Sequence, residues 1–129
     1  MTNINNDVNI PNYDLSIGQI IESGSNDDGT YIKFSDGILI QFGRKLFISE
    51  TPRTWFGTTV YSQELELTLP KEFKSGDYTT TSDVNIANMN IFAITHASPT
   101  TASTLTLSFV CSNQNETRTI HWVAIGRWK

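Results

Sequence analysis

The last ten residues of the chain, 120–129, constrain its fold more strongly than any other segment. Successive side chains of a β-strand point to opposite faces of a sheet, and here both faces carry large apolar groups. One face would hold Ile120, Trp122, Ala124 and Trp128, and the other would hold His121, Val123 and Ile125. We therefore predict a central strand that is covered on both sides and closes the fold last, as suits the tip of a longer assembly.

Two shorter apolar runs earlier in the chain predict a β-hairpin. Residues 31–34 and 38–42 are rich in aromatic and β-branched side chains, and the dipeptide Asp36-Gly37 lies between them. Asp-Gly readily adopts the left-handed backbone conformation that a tight antiparallel turn requires. The two runs are therefore expected to pair with each other.

The remaining segments add strands but no helix. Residues 58–69 alternate, with leucines on one face and Glu64 and Glu66 on the other, which is typical of a half-buried strand. Further strands are predicted at residues 78–86, 90–97 and 103–111, with a turn at Asn88, whereas residues 44–57, interrupted by Pro52 and Gly57, are expected to be irregular. Because no stretch of helical length has apolar side chains at 3.6-residue spacing, we predict an all-β fold, an antiparallel β-sandwich of about six strands.

The first part of the chain differs in composition from the rest. Residues 1–26 contain six asparagines and no sustained apolar period. Asparagine favours turns and local backbone hydrogen bonds over the ladders of a sheet. We therefore expect an extended lead-in or linker at residues 1–26, followed by the β-sandwich domain at residues 27–129.

Composition argues against several classes of partner. The chain has 13 acidic and 9 basic residues and a net charge of -4, whereas nucleic acids and anionic membranes attract clustered Lys and Arg. The longest apolar run is four residues, so no membrane insertion is expected, and the first residues do not have the pattern of a secretory signal. The single cysteine, Cys111, continues an apolar alternation and is predicted to be a small buried hydrophobe.

Two segments together resemble one protein family. Residues 21–26 and 29–42 are similar to the first hairpin of bacteriophage tail-fibre C-terminal domains, and residues 121–129 resemble the closing strand of the same domains. A strand that runs into Leu69-Pro70 and is followed by Phe73 is compatible with them. The resemblance covers about residues 20–129.

This resemblance implies a fold and a role. Tail-fibre tip domains are similar in fold to the H-type lectins, which are small antiparallel sandwiches that associate as trimers. The resemblance implies a component of a phage or prophage tail, made in the bacterial cytoplasm and joined to the rest of the fibre. It also implies that the tip binds the bacterial surface, with a glycan as the expected receptor.

The sequence offers little for catalysis or metal binding. The two histidines, His96 and His121, are far apart, and neither a His-x-His nor a Cys-x-x-Cys spacing occurs, so no metal site or cofactor is expected. Glu64 and Glu66 would be about 6.5 Å apart on one strand face, but that face lacks an apolar wall that would raise a carboxyl pKa. Asp27-Asp28-Gly29 lacks the further acidic ligands of a calcium loop and is interpreted as a turn. We therefore expect a protein that is not an enzyme.

Candidate binding residues are aromatic and basic side chains in irregular segments. A sugar is held by an aromatic ring against its apolar side and by a few fixed polar groups, which favours Arg53, Trp55 and Phe56 as ligand-binding residues. For Trp55 itself, a plug in the core is the favoured interpretation and a ligand platform is the alternative. The interface candidates of a homotrimer are His121, Val123, Ile125, Arg127 and Trp128, with three copies of His121 near a shared axis.

Two functions follow from these observations. The first is a non-enzymatic receptor-binding tip, in which three weak sites per fibre act together through avidity. The alternative is a structural module that caps the fibre and registers the trimer without binding any ligand. An enzyme that trims surface polysaccharide is a third and weaker hypothesis, because the chain offers no convincing pair of acids.

Overall fold

The protein folds into two antiparallel sheets that pack face to face. The computed structural model describes residues 18–85 and 91–129, and the fold within these residues consists of strands without helices. The strands, in chain order, are β1 (Ile20–Ser25), β2 (Thr30–Phe34), β3 (Ile38–Ile48), β4 (Thr51–Trp55), β5 (Thr58–Thr68), β6 (Thr79–Val84), β7 (Ala93–Pro99), β8 (Thr104–Cys111) and β9 (Thr117–Arg127). The predicted all-β sandwich is therefore confirmed. No helix that could cross a membrane occurs in this part of the chain.

Strand order places the closing strand near the middle of the larger sheet. The five-stranded sheet runs β1-β2-β3-β9-β6, and the four-stranded sheet runs β4-β5-β8-β7. β9 pairs with the whole of β3 on one side and with β6 on the other. The prediction of a central strand is correct.

Among the described residues, only one face of β9 is covered, which differs from the prediction that both faces are. Ile120, Trp122 and Ala124 are buried between the sheets, whereas Ile125 is 44% exposed on the opposite face. The four-stranded sheet packs against one side of the larger sheet, and no described element lies over its other side. None of the described residues therefore covers the apolar groups on that outer side.

The described residues contain nine strands, more than the predicted number of about six, because β1 forms at residues 20–25 and β4 forms within residues 44–57, which are regular. β3 continues as far as Ile48, and β4 pairs back with β5 around a turn at Phe56 and Gly57. Pro52 is tolerated because β4 is an edge strand, where one side of the backbone needs no ladder partner. The turn predicted at Asn88 lies outside the described residues.

The core between the sheets is apolar and aromatic. Phe47 meets Phe109 edge to face with their centroids 6.5 Å apart, and Phe73 stacks on Tyr78 at 4.2 Å. Cys111 is buried in this core, as predicted from its alternation. Burial of each such side chain contributes roughly 1.5–3 kcal/mol, so this cluster supplies most of the drive to pair the sheets.

The turn of the β1–β2 hairpin contacts the end of β5 in the smaller sheet. Within this turn, Asn26 donates a side-chain hydrogen bond to Thr68 O at 2.9 Å, and Asp28 Oδ2 accepts one from Thr68 N at 3.0 Å. The other oxygen of Asp28 pairs with Lys45 at 2.9 Å. Asp28 thus has a structural role in a turn.

β1 lies inside residues 1–26, the segment expected to be an extended lead-in or linker. Residues 1–17 of that segment lie outside the described residues.

Candidate functional site

The outer side of the five-stranded sheet is largely apolar. Cross-strand pairs place Phe42 beside Val123 and Ile40 beside Ile125. Farther along β3, Leu46 is 59% exposed and Ile48 lies on the same side. We call this surface the apolar face, and define it by Ile40, Phe42, Leu46, Ile48, Val123 and Ile125.

One polar row crosses the apolar face. Arg44 on β3 and Asp83 on β6 both pair in register with His121 on β9. Residues paired in register point to the same side of a sheet, so the three side chains follow one another across it. A guanidinium and a carboxylate therefore flank the imidazole on a surface that is otherwise poor in charge.

A depression of about 720 Å³ lies at the β1–β2 end of the apolar face, lined by residues 25–30 together with Phe42, Arg44, His121 and Val123. Two glycines, Gly29 and Gly43, pack closely over Trp122 beneath it. A Cβ atom on Gly43 would lie 2.5 Å from Asp28 O, and one on Gly29 would lie 2.6 Å from Phe42 O. The floor of the depression therefore cannot accept larger side chains without moving the backbone.

A groove of about 350 Å³ crosses the outer side of the four-stranded sheet. We call it the Arg53 groove; its walls are formed by Arg53 and Trp55 on β4 and by Ile94 and His96 on β7, its floor contains Ser62 and Val110, and Glu64 and Ser108 lie toward one end. β4 and β7 are the two edge strands of this sheet, so the groove spans its full width.

Hydrogen bonds hold the polar groups of the Arg53 groove in place. Arg53 Nε donates to Ser62 Oγ at 2.7 Å, and Ser62 Oγ donates to Thr51 O at 3.4 Å. Ser108 Oγ donates to Glu64 Oε2 at 3.2 Å. Because these contacts fix one side of each charged group, the remaining donors and acceptors are oriented before any ligand arrives.

The structure brings two of the three predicted ligand-binding residues together. Arg53 and Trp55 both line the groove, and Trp55 lies on the outer side of the sheet and not in the core. Phe56 does not line it. This side chain is fully exposed at the tip of the β4–β5 hairpin, where the turn gives Phe56 a φ of 50°.

The predicted interface residues divide into two groups. His121, Val123 and Ile125 share the outer side of the larger sheet. Arg127 and Trp128 contact their own chain: Arg127 Nη2 donates to Asp36 O and Trp128 Nε1 donates to Phe34 O, each at 2.7 Å. These two side chains tie the end of β9 to the β2–β3 hairpin.

Sequence reasoning missed several residues at both surfaces. Glu64, His96 and Ser108 meet in the groove because of cross-strand register between β5, β8 and β7, which a single sequence does not show. Leu46 and Ile48 had a visible signal. They continue the alternation of residues 38–42, with apolar groups on both sides of β3.

A third polar cluster lies at the edge of the sandwich. Tyr31 donates its hydroxyl to Glu22 Oε2 at 2.5 Å, and Lys71 Nζ contacts the same oxygen at 2.8 Å. Hydrogen bonds from Lys71 and Tyr31 lower the pKa of Glu22 from 4.5 to about 2. The same contacts raise the pKa of Lys71 and of Tyr31, so all three side chains keep their ordinary charge states at neutral pH.

Metal chemistry has no cluster to support it in the described residues. No group of three or more His, Cys, Asp or Glu side chains there could hold a metal ion.

Comparison with known proteins gives one structural likeness. No family model matches the chain, and no curated protein matches it. Among solved structures, the chain is similar to a C-terminal fragment of the R1 pyocin fibre of P. aeruginosa, with 13% sequence identity and a TM-score of 0.49. The match covers 85% of this chain and 29% of the fibre fragment. At this identity and TM-score the likeness transfers no residue role and no activity to this chain.

Proposed function

We propose that this chain is a non-enzymatic tip domain of a phage or prophage tail fibre, which assembles as a homotrimer and binds a bacterial surface glycan. The contrast between the two outer sides of the sandwich carries the proposal. One side is an apolar surface that no described residue covers, and the other is a polar groove with an aromatic edge. The resemblance of residues 21–26, 29–42 and 121–129 to tail-fibre tips supplies the biological setting.

The whole outer side of the five-stranded sheet, and not the apolar face alone, has the size of a protein contact. The strands of this sheet cover on the order of 600 Å² at about 16 Å² per residue, and the six side chains of the apolar face account for roughly a third of that area. A standard protein interface removes about 800 Å² from each partner. Contact between copies would therefore bury the apolar face at its centre together with the polar residues around it.

Copies of the same chain are the occupant that fits this face. The row of Arg44, His121 and Asp83 contains both a positive and a negative side chain. The charged groups of one copy can therefore pair with those of another copy. A closed ring of three would turn the apolar faces toward one another around a shared axis. His121 would lie in that contact, as predicted from the sequence.

The Arg53 groove would then face outward. The two outer sides of a sandwich point in opposite directions, so burial of the apolar face leaves the groove open to solvent in every copy. Three shallow sites on one tip, multiplied by several fibres, give useful attachment even when each site is weak.

Two measurements test the proposal. Light scattering at low micromolar concentration should give the mass of three chains, and a monomer would overturn the assembly. The trimer should adsorb to isolated envelope from its host, without releasing new reducing ends from the envelope polysaccharide. A folded trimer that binds no envelope fraction of its host would overturn receptor binding, and release of reducing ends would overturn the non-enzymatic role.

The second candidate is a fibre cap that organises the trimer and binds nothing outside. The apolar face favours it as strongly as it favours the first. Substitution of Trp55 by alanine separates the two, because Trp55 lies in the groove on the opposite side of the sandwich. Loss of adsorption from an intact trimer supports recognition, whereas unchanged adsorption supports the structural cap.

A further inference from the structure

We propose that the Arg53 groove binds a neutral pyranose residue, which rests its apolar face on Val110 and Ile94 and directs its hydroxyls to Glu64 and Arg53. This inference rests on the proposed receptor-binding function, and it names the site and the chemical class of the ligand. It requires a particular order of apolar and polar groups across the sheet.

Strand register supplies that order. Val110 pairs with Ser62 on one side and Ile94 on the other, and the adjacent row on the same face is Glu64, Ser108 and His96. Arg53 reaches Ser62 from the opposite direction. Ile94, which is 48% exposed, supplies most of the surface of the apolar Val110–Ile94 strip, because Val110 is buried. Polar groups lie on both sides of the strip, with Glu64 on one side and Arg53 on the other, which suits a sugar ring with an apolar face and a rim of hydroxyls.

Aromatic surface is available at one end of the strip. Trp55 lies two residues beyond Arg53 on the same face of β4, and its half-buried ring lines the groove. A large flat ring covers apolar C–H groups at little conformational cost. Trp55 would therefore cover the part of the ligand that extends past the Val110–Ile94 strip.

The charged groups at the borders suit hydroxyls. Glu64 accepts one hydrogen bond from Ser108, and a carboxylate has several more acceptor positions. Arg53 uses Nε for Ser62, and its two Nη groups make no hydrogen bond within the described residues, so they remain donors. A hydroxyl both donates and accepts, so adjacent hydroxyls of one sugar can satisfy both borders.

The charge balance favours a neutral ligand over an acidic one. Among the groove residues, Arg53 is the single guanidinium and Glu64 the single carboxylate. An acidic sugar would bring a second carboxylate close to Glu64, and the net charge of -4 would oppose its approach. A neutral sugar adds no charge to the groove and is not repelled by the net charge of the chain.

The same count argues for binding without hydrolysis. Glycoside hydrolysis uses two carboxyl groups on opposite sides of the scissile bond. The groove offers only Glu64, because Glu66 lies in the next row along β5 and does not line it. Glu64 is therefore assigned a recognition role.

The test uses the full trimer and oligosaccharides prepared from host envelope polysaccharide, separated into neutral and uronic-acid-containing pools. Calorimetry at 50 mM and 500 mM salt should detect binding to the neutral pool, with less than about a twofold change in affinity, because salt screens only charge-charge terms. Glu64→Gln should weaken binding at least tenfold, since the amide replaces an acceptor pair by one acceptor and one donor. Glu66→Gln is the matched control and should bind as the wild type does.

Each result gives a decision. Wild-type binding to envelope with equal affinities of the Glu64→Gln and Glu66→Gln trimers would overturn the groove assignment and leave the proposed function intact. Binding confined to the uronic-acid pool, or lost in high salt, would overturn the neutral class alone. Failure of the wild-type trimer to bind host envelope would overturn the proposed function and this inference together. Circular dichroism and the mass of three chains confirm that the variants are folded.

Discussion

Tyr31 donates its hydroxyl to the carboxylate of Glu22 at 2.5 Å, from the neighbouring strand of the same hairpin. Lys71 reaches the same oxygen from the loop that follows β5, and its ammonium group lies 5.5 Å from the centre of the Tyr31 ring. Glu22 therefore links an edge strand of the larger sheet to the segment that leaves the smaller one. This link depends on the ionised carboxylate.

Acid should release this link in a defined range. The pKa of Glu22 is about 2 in the folded protein and 4.5 in its ordinary state, so the folded state binds its proton less readily than the unfolded chain. The stabilisation is present above about pH 4.5 and is lost as the pH falls toward 2. In thermal unfolding at pH 7, the melting temperature of Glu22→Gln should be lower than that of the wild type. The difference between the two melting temperatures should vanish near pH 2.

Glu50→Gln is the control for this experiment, because the Glu50 carboxylate makes no hydrogen bond among the described residues. Its melting temperature should follow the wild type at every pH. A Glu22→Gln variant as stable as the wild type at pH 7 would show that the carboxylate contributes nothing to the fold.

Gln41 should be critical for stability although it is polar. Its fully buried amide accepts from Lys71 N at 3.0 Å and donates to Lys71 O at 2.8 Å. Gln41→Leu would leave both backbone groups without a partner, at a cost of roughly 1–3 kcal/mol for each group that stays dry. Chemical denaturation measures the loss, and amide hydrogen exchange should speed up at Lys71 before it does at core strand positions.

The control for this substitution is Gln63→Leu, because the Gln63 side chain accepts a hydrogen bond from Ile48 N at a more exposed position. Water can replace that contact, so the loss of stability should be smaller. Equal losses from the two substitutions would contradict the special role of Gln41.

Gly43→Ala tests the close packing beneath the depression. The added Cβ would lie 2.5 Å from Asp28 O and 3.0 Å from the Trp122 indole nitrogen, so the β1–β2 turn must move. Overpacking of this kind costs typically about 1–3 kcal/mol. Denaturant unfolding should show that loss for Gly43→Ala and almost none for Gly76→Ala, where the nearest atom would be 3.8 Å away. Equal stabilities would mean that the turn yields without cost.

Turns and strands with a clear pattern in neighbouring residues were predicted correctly from the sequence. Asp36-Gly37 forms the turn expected of it, with Gly37 at a φ of 105°. Residues 58–69 bury Leu67 and Leu69 and partly bury Leu65, as their alternation indicates. β4 was missed because Pro52 and Gly57 are read as breakers, although Pro52 lies on an edge strand and Gly57 in a tight turn. Pro52 thus lies within the first strand of a hairpin and Gly57 within its turn.

The candidate sites were less predictable because they depend on non-local register. Arg53 and Trp55 could be chosen from their residue types, but His96 joins them only because β7 pairs with β8 and β8 with β5. The two-sided apolar pattern of β9 indicated two buried faces. A single sequence does not say whether the second cover comes from the same chain or from another copy.

Leu46 provides the sharpest test of whether another copy of the chain covers the apolar face. It is the most exposed apolar side chain of β3, and it contributes little to the core of its own chain. Leu46→Asp should therefore leave the monomer folded, while three buried carboxylates in a trimer would remain unpaired and oppose association. We expect light scattering to show the mass of one chain with an unchanged circular dichroism spectrum. Phe56→Asp places the same charge on an exposed side chain at the tip of the β4–β5 hairpin, outside the apolar face, and should remain trimeric. A Leu46→Asp protein that stays trimeric would place the contact between copies on another surface.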